Sequence, residues 1–245
     1  MIKHSVNVNK VATVRNSRGG TLPSVLEAVT VCVGAGAPGI TVHPRADERH
    51  ITRRDVYEIA AWLRDHPSVE LNIEGDPRPD LLALVQEIRP AQCTLVPVQP
   101  GEVTSQAGWP PGTSRDDMRR IVGELKRRGI RVSVFVDPEP AAVEWAAAVG
   151  ADRIELYTEP FARAFERGLI TDATATFDCY ARAAIHADKQ GLGVNAGHDL
   201  DLRNLVPFRS LPHLDEVSIG HALISHALFV GLDRSVRDYL AVLAP

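Results

Sequence analysis

The stretch ELKRRGIRVSVFVD, residues 124–137, carries the fold in miniature. An amphipathic run ends at Gly129 and a β-branched run begins at once. Glycine suits the left-handed position that closes a helix, and the run behind it reads as a buried strand. The same succession returns in EAVTVCVGAGAPGITVH (27–43), WAAAVGADRIEL (145–156) and HADKQGLGVNAGH (186–198). Helix, glycine, strand, repeated, describes βα units that feed a parallel sheet.

Extended along the chain, this pattern predicts eight strands: Val6–Asn9, Gly39–His43, Glu70–Glu74, Gln92–Val96, Arg131–Asp137, Arg153–Leu156, Gly193–Asn195 and Glu216–Ile219. Helices fall between them. Thr52 caps RRDVYEIAAWLRDH, Pro77 or Pro79 opens DLLALVQEI, and Ser114 caps RDDMRRIVGELKRR. Thr171 opens a long segment to Lys189, and Leu223–Phe229 and Arg234–Leu243 close the chain. Eight such units in 245 residues match the rhythm of a TIM (β/α)8 barrel with extra helices, read as a single domain over residues 1–245. A doubly wound open sheet is the alternative, but no G-x-G-x-x-G follows the first strand. The connections 97–114 and 157–169 exceed the usual βα length of roughly 2–6 residues, and the first is expected to be a lid.

Composition narrows the function. Hydrophobic residues are 44% and charged residues 24%, with a formal net charge of -4 and a pI of about 6.1. That balance argues against non-specific nucleic-acid binding, which needs a basic footprint. No apolar run is long enough to span a bilayer, and MIKHSVNVNK lacks the apolar centre of a signal peptide. Cys32, Cys93 and Cys179 have neither zinc spacing nor a disulfide pattern, so a reducing cytoplasm is expected.

In a barrel, chemistry sits where strands end. Asn7, Asn9 and Lys10 end the first strand; His43, Arg45 and His50 follow the second. Glu70, Asn72 and Glu74 alternate on one face of the third. Asp137, Glu155, Asn195 with His198, and Gly220 with His221 end the fifth to eighth. Imidazoles exchange protons near neutrality, and a partly buried Glu74 is a candidate base. Arg18, Arg45 and His50 suit phosphate, and SIGHALI (218–224) puts backbone N–H groups at a helix start, a ready anion seat. Metal binding is not expected: His221 and His226 are five apart and about 140° around a helix, and no H-E-x-x-H motif occurs. Lys10 admits a Schiff-base aldolase reading, although neutralising a phosphate or a nearby carboxylate is the favoured role.

These motifs resemble the pyridoxine 5′-phosphate synthase family, from SVNVNKVATVRNSRGG (5–20) to SIGHALISHALFVGL (218–232). The pieces that carry the resemblance are ATVRNSRG, GITVHPRADERHIT, LNIEG, LVP with EVTS, VNAGH and IGHA. The resemblance implies a homo-oligomer, often an octamer, that needs no metal or organic cofactor. It implies condensation of two phosphorylated small molecules, 3-amino-2-oxopropyl phosphate and 1-deoxy-D-xylulose 5-phosphate. His43 and Glu74 would then accept protons and His198 would donate one. Asn7 would meet the amino-ketone phosphate, Arg45 and His50 the sugar phosphate, with Arg18, Thr104, Gly220 and His221 completing the set. Asn9 and Lys10 stand where the family often has Asp-His, and Asp199 where it often has Gly. Two other readings stay open: a different phosphate-binding barrel, such as an aldolase or isomerase, and a non-catalytic sugar-phosphate binder.

Overall fold

The computed structural model describes residues 2–98, 102, 105–168 and 170–244. Among them, eight parallel strands close into a barrel in chain order: β1 (Lys3–Asn7), β2 (Gly39–Val42), β3 (Glu70–Gly75), β4 (Gln92–Leu95), β5 (Arg131–Val136), β6 (Arg153–Tyr157), β7 (Gly193–Gly197) and β8 (Leu214–Ile219). β1 pairs with both β2 and β8, which completes the ring. Around it lie α1 (Asn9–Asn16), α2 (Val25–Gly34), α3 (Arg53–Leu63), α4 (Pro79–Ile88), α5 (Arg115–Lys126), α6 (Pro140–Ala148), α7 (Glu159–Glu166), α8 (Ile170–Lys189), α9 (Leu205–Phe208), α10 (His221–Val230) and α11 (Leu232–Leu243). The (β/α)8 expectation and its extra helices are met. No helix among the described residues is long and apolar enough to cross a membrane.

The helix starts follow their capping chemistry. Thr52 and Asp55 form a reciprocal capping box on α3, the arrangement that satisfies two orphan N–H donors at once. Ser114 accepts from the Asp117 N–H on α5, and Pro79 occupies the first turn of α4, where its missing N–H costs nothing.

Two expectations need correction. The first strand ends at Asn7 rather than Asn9, because Val8 leaves the extended region (φ -92°, ψ 9°) and Asn9 starts α1. The alternation of Val6 and Val8 looks like a strand, yet Val8 is buried as the residue before the helix. The connection after β6 is not an open loop, since α7 occupies Glu159–Glu166. The centre of the 97–114 connection, with Thr104, lies outside the described residues. Its far end is tied down: Trp109 donates its backbone N–H to Phe135 O (2.8 Å) and its indole N–H to Leu95 O (2.8 Å).

The strands send their branched residues outward. Val6, Ile40, Val42, Ile73, Val132, Val134, Ile154, Leu156 and Val194 are buried in one continuous core with the helices. The inward faces are polar, unlike the branched-aliphatic interior usual in such barrels. Ser5 Oγ lies 2.6 Å from Thr41 Oγ1, Asn72 donates to Thr41 Oγ1, and Thr94 donates to Asn72 Oδ1. Lower down, Arg131 donates to Gln92 and Glu70, Asn195 donates to Gln92, and Lys3 pairs with Glu70. Burying polar groups is tolerable when they satisfy one another, and here they form the floor beneath the strand ends.

Candidate active site

A cavity of about 760 Å³ opens at the C-terminal ends of the strands. His43, Glu74 and His198 all line it, as do Asn7, Asn9, Lys10, Arg45, His50, Asp199, Gly220 and His221. Arg18 does not: it is exposed just beyond α1. Glu155, expected at the end of the sixth strand, also lines the cavity, as do Glu159, Arg163, Tyr157 and Ser218, which were not among the expected site residues. Nothing in the sequence marked α7 as part of the rim.

The His43 side is built around cations. His43 is buried, and its Nε2 has no protein partner. Burial pushes its imidazole down to about 3, and His50, Arg45, Arg78 and Arg49 add to the effect. The His43 and His50 rings stand 5.9 Å apart. His50 Nδ1 accepts the Ile51 N–H at 2.9 Å, so in the neutral ring the proton sits on Nε2. Burial, with Arg45 and Lys10, also lowers His50, to about 4.

The backbone of this strap is held from several directions. Asn9 Oδ1 accepts the His43 N–H (2.9 Å). Arg78 donates to Pro44 O (2.6 Å), which gives Pro44 a carbonyl-anchored turn. Arg15 and Asn16, from the ATVRNSRG motif, both donate to His50 O, and Arg15 also pairs with buried Asp55. Arg49, which reads in sequence as loop surface, donates to Glu102 O (2.9 Å). Buried Arg45 lies 3.9 Å from the Glu102 carboxylate.

The ends of β3 and β6 carry carboxyls. Burial raises Glu74, to about 8, and Ser218 Oγ is its neighbour at 3.5 Å. Glu155 is raised well above the usual carboxylate range by burial and then by Glu74 and Glu216. A second negative charge beside the first is disfavoured in so dry a place, so Glu74 and Glu155 resist being ionised together. Glu155 approaches so closely to β7 that a Cβ on Gly197 would lie 2.5 Å from its Oε1.

Gly220 precedes α10, whose first residue is His221. A Cβ there would fall 2.9 Å from Asn7 Oδ1, so glycine lets Asn7 sit against the helix start. That start presents unpaired N–H groups and a positive dipole end, which favour an anion. The cavity thus has two anion-accepting places on different strands: Lys10, Arg45 and His50 after β1 and β2, and Asn7 with the α10 start after β1 and β8. Among the described residues no group of three or more His, Cys, Asp or Glu is placed to hold a metal ion.

Fold and cavity together define a barrel protein whose buried titratable groups and anion-accepting places line one cavity at the strand ends. The family model for "Pyridoxal phosphate biosynthesis protein PdxJ" matches residues 4–245, and the chain belongs to that family. A relative from Porphyromonas gingivalis named pyridoxine 5′-phosphate synthase is 50% identical over 245 residues, covering 100% of both chains. One of the same name from Bacteroides fragilis is 50% identical over 240 residues, covering 98% of each. Among solved structures, 3-hexulose-6-phosphate synthase from Salmonella typhimurium superposes with a TM-score of 0.65 at 16% identity, covering 99% of this chain and 98% of the other. Phosphoribosyl anthranilate isomerase from Thermotoga maritima gives 0.63 at 13%, with the same coverage. These two share the fold.

Proposed function

We propose that the protein is a pyridoxine 5′-phosphate synthase. It would condense 3-amino-2-oxopropyl phosphate with 1-deoxy-D-xylulose 5-phosphate to give pyridoxine 5′-phosphate, inorganic phosphate and water. The observation that carries this reading is the convergence of His43, Glu74 and His198 on one cavity that also holds two anion seats.

The substrates supply both an amine and a ketone. They form an imine between themselves, releasing water, so the enzyme need not contribute a lysine nucleophile. The later dehydrations, phosphate loss and ring closure each require protons to leave carbon or nitrogen and arrive at departing oxygen. His43 begins neutral and is therefore ready to accept. Burial is the main reason His43 is depressed, and a sugar phosphate held by Arg45, His50 and Lys10 would offset only the added effect of the cations around it, which strengthens the base. Glu74, with Glu155 beside it, accepts and returns protons without the cost of two adjacent charges. His198 supplies a proton from the other side. Asn7 and the N–H groups at Gly220 and His221 seat the amino-ketone phosphate.

By the same reading the protein works in the cytoplasm without metal or organic cofactor, binds neither nucleic acid nor membrane, and assembles as a homo-oligomer, an octamer by resemblance. Leu228 and Phe229, 75% and 88% exposed on α10, are apolar surface that such an assembly would cover. The test is direct: incubate the purified protein with both substrates and follow pyridoxine 5′-phosphate by absorbance and mass. No product from about pH 6 to about pH 9, the range over which histidine and raised carboxyl groups titrate, would reject the assignment. Trapping of a Lys10 imine by borohydride would favour the aldolase reading.

A further inference from the structure

We propose that Asp199 is a positioning residue for His198, fixing which ring nitrogen carries the proton. The inference rests on His198 being the proton donor of the proposed reaction. It is carried by the local geometry.

His198 and Asp199 both have positive φ, 90° and 59°, although neither is glycine. Two consecutive residues in this region are strained, and such strain persists only where the surroundings impose it. Those surroundings are visible. Thr158 Oγ1 donates to the carbonyls of Gly197 and His198, and Asn204 Nδ2 donates to Asp199 O at 3.0 Å. The backbone is thus clamped on both sides of the turn. The result is that the Asp199 carboxylate stands 3.1 Å from His198 Nδ1, and the edge of the Tyr157 ring system closes another side, with centroids 5.1 Å apart. Tyr157 is itself tied to Glu159, and Glu159 to Arg163, so the wall does not swing away.

A carboxylate only accepts, so it selects the His198 tautomer with hydrogen on Nδ1. The proton that His198 delivers then comes from Nε2. After delivery the ring is left in the tautomer that Asp199 already holds, and it returns to the donor form by taking one proton at Nε2. The Nδ1–carboxylate distance is 3.1 Å, and the His198 imidazole is the first cause that holds the Asp199 carboxyl below its usual range. Since the family often has glycine at this position, Asp199 refines the donor rather than making the reaction possible.

The test compares Asp199→Gly and Asp199→Asn with the natural protein. Glycine relaxes a positive φ, so Asp199→Gly should melt no lower than the natural protein. Magic-angle-spinning ¹⁵N NMR of histidine-labelled protein, with His198→Ala to assign the signal, reads the tautomer at about pH 8.5, where histidine is ordinarily neutral. Nδ1–H should dominate in the natural protein and should give way to a mixture in Asp199→Gly and in Asp199→Asn, whose amide can donate as well as accept. Turnover should fall about tenfold in Asp199→Gly, the lower edge of the loss seen when a carboxylate orienting an imidazole is removed. KM should stay within about twofold in both variants, and turnover should fall in Asp199→Asn as well, because its amide can hold the wrong tautomer. An unchanged tautomer in Asp199→Gly overturns the proposal, and so does an unchanged turnover number or a loss confined to KM. If the natural protein makes no pyridoxine 5′-phosphate, the functional reading fails, while the NMR comparison still decides the pairing.

Discussion

Replacing His4 by phenylalanine should make the protein gain stability in acid. His4 is fully buried on the outer face of β1, with neither ring nitrogen hydrogen-bonded, beside the Tyr239 ring at 5.6 Å. Burial lowers its imidazole from 6.5 to about 3. The unfolded chain therefore takes up a proton that the folded chain refuses. A depressed folded value means the contribution is fully present above 6.5 and is lost as the pH falls toward about 3. From about pH 7 to about pH 5 the loss is about 2 kcal/mol. His43 and His50 behave alike, and the three together approach about 6 kcal/mol, within the about 5–15 kcal/mol that holds a typical domain. Glu74, Glu155 and Glu216, all raised by burial, act in the opposite sense, because their folded forms keep protons that the unfolded chain loses. The natural protein's stability should thus change little over this range, with the terms hidden in each other. His4→Phe keeps the flat ring and removes one term. Denaturant unfolding at the two pH values should show the variant gaining about 2 kcal/mol on the natural protein as the pH drops. Any steric cost of the larger ring cancels in that difference. Parallel stability curves would show that His4 is protonated in the folded state and that the burial argument is wrong.

The site yields further expectations. His43→Ala, Glu74→Gln and His198→Ala should each lower turnover by about 10²–10⁴-fold, and a near-normal rate in product assays would remove that residue from the chemistry. Glu74→Gln should also become more stable than the natural protein as the pH rises from 4.5 to about 8, because the raised carboxyl's contribution is lost over that window; equal alkaline melting temperatures would contradict this. Asn9→Ala strands the His43 N–H and should cost about 1–3 kcal/mol, whereas Asn9→Asp keeps the acceptor and should recover much of it in urea titrations. Gly220→Ala drives a methyl group toward Asn7 and should raise KM for the amino ketone before it touches KM for the sugar phosphate.

The strands were legible because glycine-closed helices and β-branched runs obey local rules, and all eight were located. Their ends were less so. Val8 continues the alternation of Val6, and only the backbone shows that it turns into α1. The site was legible at strand ends for a topological reason: once a barrel is assumed, every polar strand end points to the same face. Residues that reach the site from elsewhere had no such label. Arg18 lies in the right motif but beyond the end of α1, on the exposed side, while Arg15 and Asn16, in the same motif, reach the His50 carbonyl. Arg15 and Asn16 are the last residues of α1 and are aimed by its packing, whereas Arg18 follows the C-cap Ser17, outside the helix.

The polar interior connects the floor to the chemistry above it. Glu70, Asn72 and Glu74 alternate on β3, and the same alternation runs through QCTL and RVSVFV. Below the cavity, Ser5, Thr41, Asn72 and Thr94 are linked hydrogen bond to hydrogen bond, so most donors there are already engaged. Glu74 and Glu155 rest on this floor and face the cavity, with the Ser218 hydroxyl at the edge of reach of one and the Glu155 Oε2 left without a partner. An apolar floor would bury the carboxyls equally but leave their positions unspecified, and a floor rich in spare donors would stabilise the carboxylate and pull the proton affinity back down. A floor whose donors are mostly committed fixes the carboxyls without neutralising the effect of burial: Thr94 lowers Glu155, but burial, Glu74 and Glu216 outweigh it. It leaves the carboxyls raised and the missing hydrogen bonds to be made by whatever enters. Any polar group that enters the cavity within reach of the Glu155 Oε2 supplies such a partner.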